Sequence, residues 1–204
     1  MALALDPELV AEALPRAFQV ACSIAPKLRT ASSAPEIALC FGLILRAFAG
    51  QYAVERKDDR SLVKGMFTLH DPWDCDDMSL MGMSVYNAMQ HISPASPHLS
   101  RFPVLQQVLH YAQHDIVDVK MVHGRAETPQ GQLEGHVWLL FTFVDGTQKF
   151  FEATTCSALG AAEYEYAKLP APCDADSAMR RGLHIGLSAA GECGVIAPIE
   201  QKNY

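Results

Sequence analysis

The acidic stretch DCDD, residues 74–77, contains a cysteine whose position suits nucleophilic chemistry. Cys75 lies at the start of a helix-like segment, where unpaired amide groups and the helix dipole favour a thiolate. A cysteine nucleophile also needs a base within hydrogen-bond reach and a third group that orients the base. Asp76 and Asp77 oppose the thiolate, so the helix terminus and a protonated histidine must outweigh them. A buried structural cysteine is the competing interpretation.

The candidate base and its orienting group lie on two neighbouring predicted strands. His136 opens the apolar run HVWLLF, and Glu152 closes the run KFFE. A two-residue turn at Asp145 and Gly146 would pair His136 with Thr155. Glu152 would then lie on the opposite face of the hairpin, because neighbouring residues of a strand alternate between faces.

A longer connection between the two strands would place His136 and Glu152 on the same face of the hairpin. If residues 144–146 form a three-residue loop, Gly146 takes the left-handed conformation of a bulge. Glu152 then faces Trp138, two residues from His136 and on the same side of the sheet. Such diagonal neighbours lie about 7–8 Å apart, a gap that a histidine and a glutamate can close. A functional pair therefore predicts the bulged loop; otherwise His136 merely starts a strand and Glu152 is a solvated residue.

Taken together, these motifs resemble the transglutaminase-like superfamily of papain-type cysteine enzymes, in particular its bacterial and phage members. That family has a cysteine at a helix N-terminus, a histidine followed by an aromatic residue at the start of a strand, and an acidic residue followed by a small residue and Thr. The resemblance covers roughly residues 71–155, with Cys75 in DCDDMSLM, His136 in GHVW and Glu152 in FFEATT. The family usually has Asp and DPT where this chain has Glu152 and EAT.

The resemblance implies a fold and a mechanism. The fold would be α+β, with N-terminal helices and a nucleophile helix packed on an antiparallel sheet. Cys75 would attack an amide carbonyl, His136 would take and return the proton, and Glu152 would orient the imidazole. The acyl-enzyme would pass to water, as in a peptidase or amidase, or to an amine, as in a transglutaminase. We expect hydrolysis of a protein or peptide substrate without a cofactor; acyl transfer or a catalytically silent binding protein are the alternatives.

Four further residues are secondary candidates. Trp73 is a candidate oxyanion donor, with a core or rim aromatic as the competing interpretation. Trp138, on the face of the candidate histidine, is expected either at the edge of a substrate cleft, which is the preferred interpretation, or in the core. Some periplasmic members of the resembling superfamily bind calcium through acidic residues that flank the cysteine, which would assign this role to Asp74 and Asp76. Calcium requires six or more oxygen ligands, so helix capping by Asp74 is the preferred interpretation.

A zinc site is a further alternative. His110 and His114 are four residues apart on a predicted helix, and His70, His123 and the cysteines could add ligands. The sequence contains neither a CxxC nor an HExxH motif, which disfavours this alternative.

The secondary structure that must position these residues is predicted to change from helices to strands along the chain. Residues 6–30 predict one or two short helices interrupted near Pro15 and Pro26, and Ser33 caps a more apolar helix that can end at Gly50. Residues 75–92 predict a helix from apolar residues at spacings of three and four. The buried stripe would consist of Met78, Met81, Val85, Ala88, Met89 and Ile92.

The pattern changes to strands after a short helix in VLQQVLHYAQH. IVDVKMV alternates, with Val117, Val119 and Met121 on one side, and the hairpin of the candidate base follows. Helices first and strands afterwards predict an α+β fold. We expect a single domain, 1–204, with a helical part (1–65), a catalytic core (71–155) and a C-terminal segment (156–204).

Bulk composition excludes several classes of function. The 204 residues carry a net charge of −7, which argues against nucleic acid or an anionic membrane as the main partner. Neither a transmembrane segment nor a convincing signal peptide is apparent. The six scattered cysteines therefore predict reduced thiols in the cytoplasm.

Overall fold

The computed structural model describes residues 4–48, 51–52, 72–73, 75–127, 133–153, 171–174 and 183–184. Within these ranges four α-helices precede an antiparallel sheet, which confirms the predicted α+β class. Side chains from all four helices and from one face of the sheet belong to one hydrophobic core. Across the described ranges, we find no helix with both the length and the apolar character needed to cross a membrane.

Helix α1 (Pro7–Ile24) begins after Asp6, whose carboxylate accepts a hydrogen bond from the Glu8 backbone N–H at 2.9 Å. The helix continues through Pro15, so the predicted interruption there is wrong. Core residues on both sides of the proline anchor the helix, and their burial outweighs the backbone hydrogen bond that proline removes. The predicted break near Pro26 is confirmed, because a short 3-10 helix starts at that residue. The anchoring residues are Val10, Ala11, Leu14, Ala17, Phe18, Ala21 and Cys22.

Helix α2 (Ala34–Phe48) begins after Ser33, which donates two hydrogen bonds to Glu36. The Glu36 carboxylate accepts hydrogen bonds from the Ser33 N–H at 3.2 Å and from its hydroxyl at 2.9 Å. The hydroxyl bond is the main reason that the pKa of Glu36 lies below its ordinary value. Ser33 also accepts a bond from the Ile37 N–H through its carbonyl, as expected of a residue at the helix start. The predicted end at Gly50 lies outside the described residues.

Helix α3 (Cys75–Met89) begins at the candidate nucleophile. Helix α4 (Pro103–His110) ends in a single π turn (Tyr111–Asp115) that leads into the sheet. The Tyr86 hydroxyl donates to the backbone carbonyl at the start of the next strand at 3.1 Å and so ties α3 to the sheet. The predicted stripe of α3 is confirmed, because these residues are 4% exposed or less: Met78, Met81, Val85, Ala88, Met89 and Ile92.

Among the described residues, four antiparallel strands form the main sheet, in the order β5-β4-β3-β6, and a separate short parallel pair joins β1 to β2. The bounds are β1 (Gln51–Tyr52), β2 (Pro72–Trp73), β3 (Ile116–Glu127), β4 (Leu133–Phe143), β5 (Gln148–Phe151) and β6 (Leu183–His184).

Strand β3 begins with a bulge. Its pairing with β4 shifts between Ile116 and Asp118, so Val117 is an extra, unpaired residue. Val117 is 59% exposed, whereas Val119 is buried. The predicted placement of Val117 on the same side as Val119 and Met121 is therefore wrong, because the bulge interrupts the alternation at this point.

The two faces of the main sheet pack against different partners. Leu139 and Phe141 lie in the core that the helices share. Trp138 and Phe150 lie on the other face, in a second cluster that also contains Val122 and Leu140. Cys173 packs on this second cluster and exchanges two backbone hydrogen bonds with Phe150, at 2.7 and 2.8 Å.

Candidate functional site

The loop between β4 and β5 determines which face of the hairpin each side chain occupies. The Phe143 N–H donates to the Thr147 carbonyl, and the Gly146 N–H donates to the Phe143 carbonyl, each at 2.9 Å. Gly146 has a φ of 79°, in the left-handed region that favours glycine. The connection is therefore the three-residue bulged loop, and the two-residue turn is excluded.

The register set by this loop continues to the end of β5. Leu139 pairs with Phe151, which is the last residue of the strand. Glu152 follows directly and comes level with Trp138, diagonally opposite His136. The two candidate side chains consequently share one face of the sheet, as the bulged loop predicts.

His136 and Glu152 form a close, buried ion pair. The distance between His136 Nε2 and Glu152 Oε2 is 2.6 Å, and the two side chains are 10% and 7% exposed. A charge-assisted hydrogen bond of this length holds the imidazole in one orientation. Glutamate therefore reaches the histidine from this backbone position.

The surroundings of His136 stabilise its protonated form. Burial by itself disfavours the imidazolium and lowers its pKa. The charge of Glu152, the hydrogen bonds with the Cys75 and Glu152 side chains and the charge of Cys75 together outweigh this effect. These interactions raise the pKa of His136 from its ordinary 6.5 to about 10. His136 is therefore an imidazolium at neutral pH.

Cys75 is the first residue of α3 and is half-buried. Its side chain is the second hydrogen-bonding partner of the His136 ring. Because Glu152 occupies Nε2, Nδ1 is the ring nitrogen left for the sulfur. The structure thus brings three predicted residues together from a helix start, a strand and a strand end.

Asp76 and Asp77 follow Cys75 in the first turn of α3. Asp76 is half-buried and Asp77 is 8% exposed. Carboxylates in a first helical turn interact favourably with the helix dipole, which is the structural role predicted for the acidic residues beside the cysteine.

Trp138 lies against the imidazole. The His136 and Trp138 ring centroids are 5.7 Å apart with an interplanar angle of 28°, and Phe150 packs edge-on against the indole at 6.4 Å. The indole is fully buried, as the alternative of a tryptophan that fills the core predicts. The second apolar cluster covers it. Its buried Nε1–H makes no hydrogen bond within the part of the chain that the structure describes.

Two secondary candidates fall on residues of which little or nothing is described. The backbone of Trp73 pairs with Tyr52, but its side chain lies outside the described residues. Asp74 also lies outside them, so the oxyanion role of Trp73 and the calcium role of Asp74 and Asp76 stay predictions.

The residues that the structure describes do not support the zinc alternative. The rings of His110 and His114 lie 4.4 Å apart. No group of three or more His, Cys, Asp or Glu residues suited to a metal ion occurs among the residues that the structure describes. An exposed histidine pair alone does not complete the tetrahedral site that zinc requires.

Sequence reasoning missed Ser79, which lies one helical turn after Cys75. Its fully buried hydroxyl donates to the Val137 carbonyl, next to His136 in β4, at 3.2 Å. A serine four residues after the cysteine, on the same face of a predicted helix, was the available signal.

Comparison with known proteins leaves the family open. The chain matches no protein-family model, and no curated protein and no solved structure is significantly similar to it. Any functional conclusion therefore rests on the chemistry and geometry of Cys75, His136 and Glu152.

Proposed function

We propose that this protein is a cysteine-dependent hydrolase that cleaves a peptide, isopeptide or amide bond through a thioester acyl-enzyme. One observation carries the proposal: the His136 ring interacts with the Glu152 carboxylate, 2.6 Å from Nε2, and with the Cys75 side chain. A thiol, an imidazole and a carboxylate in this order are the nucleophile, base and orienting group of an acyl-transfer site.

The finer fold assignment belongs to the same proposal. A papain or transglutaminase-like core is supported by a cysteine at the start of a helix, a histidine near the start of a strand, and an acidic residue just after the next strand. The packing of α3 against β4 agrees with a nucleophile helix that lies on the sheet.

Acylation would begin from a thiolate and an imidazolium. His136 carries the proton from Cys75, and the sulfur attacks the carbonyl carbon of the scissile bond to form a tetrahedral oxyanion. The backbone N–H of Cys75, at the start of α3, is a donor for that oxyanion. His136 then protonates the leaving amine as the carbon–nitrogen bond breaks, and the acyl group stays on sulfur as a thioester.

Deacylation would use the same groups in reverse. Neutral His136 removes a proton from water, the hydroxide adds to the thioester carbonyl, and the carbon–sulfur bond breaks. The products are a carboxylic acid and the Cys75 thiolate, with the proton on His136. An amine that replaces water would instead give acyl transfer from the same intermediate.

Selective alkylation of Cys75 tests the nucleophile. Cys173 serves as the reference thiol within the same chain, because both cysteines are half-buried. We expect substoichiometric iodoacetamide at neutral pH to modify Cys75 at least about tenfold faster than Cys173, since an activated cysteine nucleophile reacts with an electrophile faster than an ordinary cysteine does. Peptide mapping by mass spectrometry measures both sites in one sample.

Variants connect this reactivity to the proposed site. His136→Ala and Glu152→Gln should slow alkylation of Cys75 and leave that of Cys173 unchanged, with circular dichroism used to confirm folding. The proposal is contradicted if wild-type Cys75 reacts no faster than Cys173. Peptide substrates tested with and without a primary amine, against Cys75→Ala, then separate hydrolysis, acyl transfer and a silent site.

A further inference from the structure

The hydroxyl of Ser79 connects the helix that carries Cys75 to the strand that carries His136. Ser79 lies four residues after Cys75, so both side chains lie on one face of α3. Its fully buried Oγ donates to the Val137 carbonyl at 3.2 Å. One hydrogen bond therefore joins the immediate neighbourhoods of the proposed nucleophile and base.

The end of β5 explains why this carbonyl is available. In the β4–β5 hairpin, every second residue of β4, counted from Phe143, directs its backbone N–H and C=O towards β5. Val137 is in this series, but the last pair of the ladder is Leu139 with Phe151. The Val137 carbonyl thus points to the side where β5 has ended, and the Ser79 hydroxyl occupies the place of a strand donor.

A second contact holds α3 close to β4 further along. A Cβ atom on Gly82 would lie 3.1 Å from Leu139 Cδ1, so a larger residue here would require the leucine side chain to shift. Cys75, Ser79 and Gly82 follow one another at spacings of four and three on the same helix face. The three positions set how far α3 lies along β4 and how near to it.

We propose that Ser79 is a positioning residue that sets the orientation and distance of Cys75 relative to His136. This inference rests on the proposed function, because it assigns Ser79 a role in the reactivity of that same site. Without the hydroxyl, α3 loses the hydrogen bond that ties it to the strand beside His136 one turn after Cys75. A displacement of about 1 Å at a reacting group can lower a rate by about 100-fold.

A comparison of Ser79→Ala with Ser84→Ala tests the inference. Ser84 is also fully buried in α3, but its hydroxyl donates to the Leu80 carbonyl of the same helix at 2.7 Å. Ser84→Ala thus removes a comparable hydroxyl without removing the bond to β4. Two quantities are measured: the pH profile of Cys75 alkylation by iodoacetamide, and the His136 titration followed by NMR of the ring.

Ser79→Ala should slow Cys75 alkylation at neutral pH by at least about tenfold and lower the titration midpoint of His136. Ser84→Ala should leave both quantities within about twofold of wild type, and Ser79→Thr, which keeps the hydroxyl, should restore most of the reactivity. Equal effects of the two alanine variants, or no effect of Ser79→Ala, would overturn the positioning role.

The two proposals fail in different ways. If wild-type Cys75 reacts no faster than Cys173, the proposed nucleophile fails in every variant. The His136 titration still decides the positioning role in that case, since a midpoint unchanged by Ser79→Ala would refute it. If wild-type Cys75 is fast and Ser79→Ala is equally fast, the proposed function stands and the role of Ser79 does not.

Discussion

Replacing Glu152 with glutamine tests what the carboxylate does for His136. The substitution keeps the length of the side chain and an acceptor oxygen but removes a negative charge 2.6 Å from Nε2. The His136 and Glu152 side chains are only 10% and 7% exposed, so water has little access to solvate the imidazolium once the charge is lost. The burial that lowers the pKa of His136 remains while the charge of Glu152 is lost, so we expect that pKa to fall well below about 10.

The same charge stabilises the fold in a pH-dependent way. The pKa of His136 is about 10 in the folded protein and ordinarily 6.5, so its contribution is fully present below pH 6.5 and is lost as the pH rises through about 10. At about 1.36 kcal/mol per pH unit, this difference sets an upper limit of about 5 kcal/mol. Removing one partner of a buried ion pair costs about 3–5 kcal/mol. Glu152→Gln should therefore lower the free energy of unfolding at about pH 6 by about 3 kcal/mol.

Urea unfolding between about pH 6 and pH 10, together with NMR titration of the His136 ring, measures both effects. The stability difference between wild type and Glu152→Gln should shrink as the pH rises towards 10, because wild type loses the imidazolium. Glu152→Asp, which keeps the charge, should retain part of the raised pKa. The reasoning is refuted if the wild-type histidine titrates near 6.5, or if the stability difference is constant over this range.

Three further substitutions test the packing that positions the site. Gly146→Ala puts a side chain at a φ of 79° and should lower the free energy of unfolding by about 1–2 kcal/mol in urea titrations. The control is Gly135→Ala, where an added Cβ meets nothing within 4 Å, and a loss no larger than in this control would contradict the prediction. Gly82→Val introduces a Cβ 3.1 Å from Leu139 Cδ1 and should lower the free energy of unfolding by about 1–3 kcal/mol while slowing Cys75 alkylation. Unchanged stability and reactivity would show that α3 tolerates a greater distance from β4. Phe141→Ala removes a fully buried ring that packs edge-on against three aromatic rings and should cost about 3–5 kcal/mol by thermal unfolding; a loss below about 1 kcal/mol would mean that the core refills the cavity.

The helices could be predicted in type and approximate extent because their signals are local. The apolar spacing of α3 and the Ser33 cap of α2 depend on residues within a few positions of each other. The prediction failed where a distant contact outweighed a local preference. Pro15 lies inside α1 because the core holds both halves of the helix, and Val117 is exposed because β3 bulges against β4.

Part of the site could also be predicted from the sequence. Cys75, His136 and Glu152 could be selected by residue type and by their predicted elements. The burial of Trp138 and the hydrogen bond of Ser79 could not, since each depends on which segment covers a face or approaches a strand. Neither of these contacts is marked by a periodic pattern in the sequence.

The sequence by itself determined the order of helices and strands and the chemical groups available for a cysteine site. It left two turns open for the hairpin, and only the tertiary structure decided between them. With the bulged loop, Phe151 is fully buried in the core, 6.1 Å from Phe141, and Glu152 emerges on the face of His136. A two-residue turn would place Glu152 on the core face beside Leu139 and turn Phe151 away from it. Burying the phenylalanine and pairing the carboxylate favour the same register, because a shift of one residue exchanges the two faces of a strand.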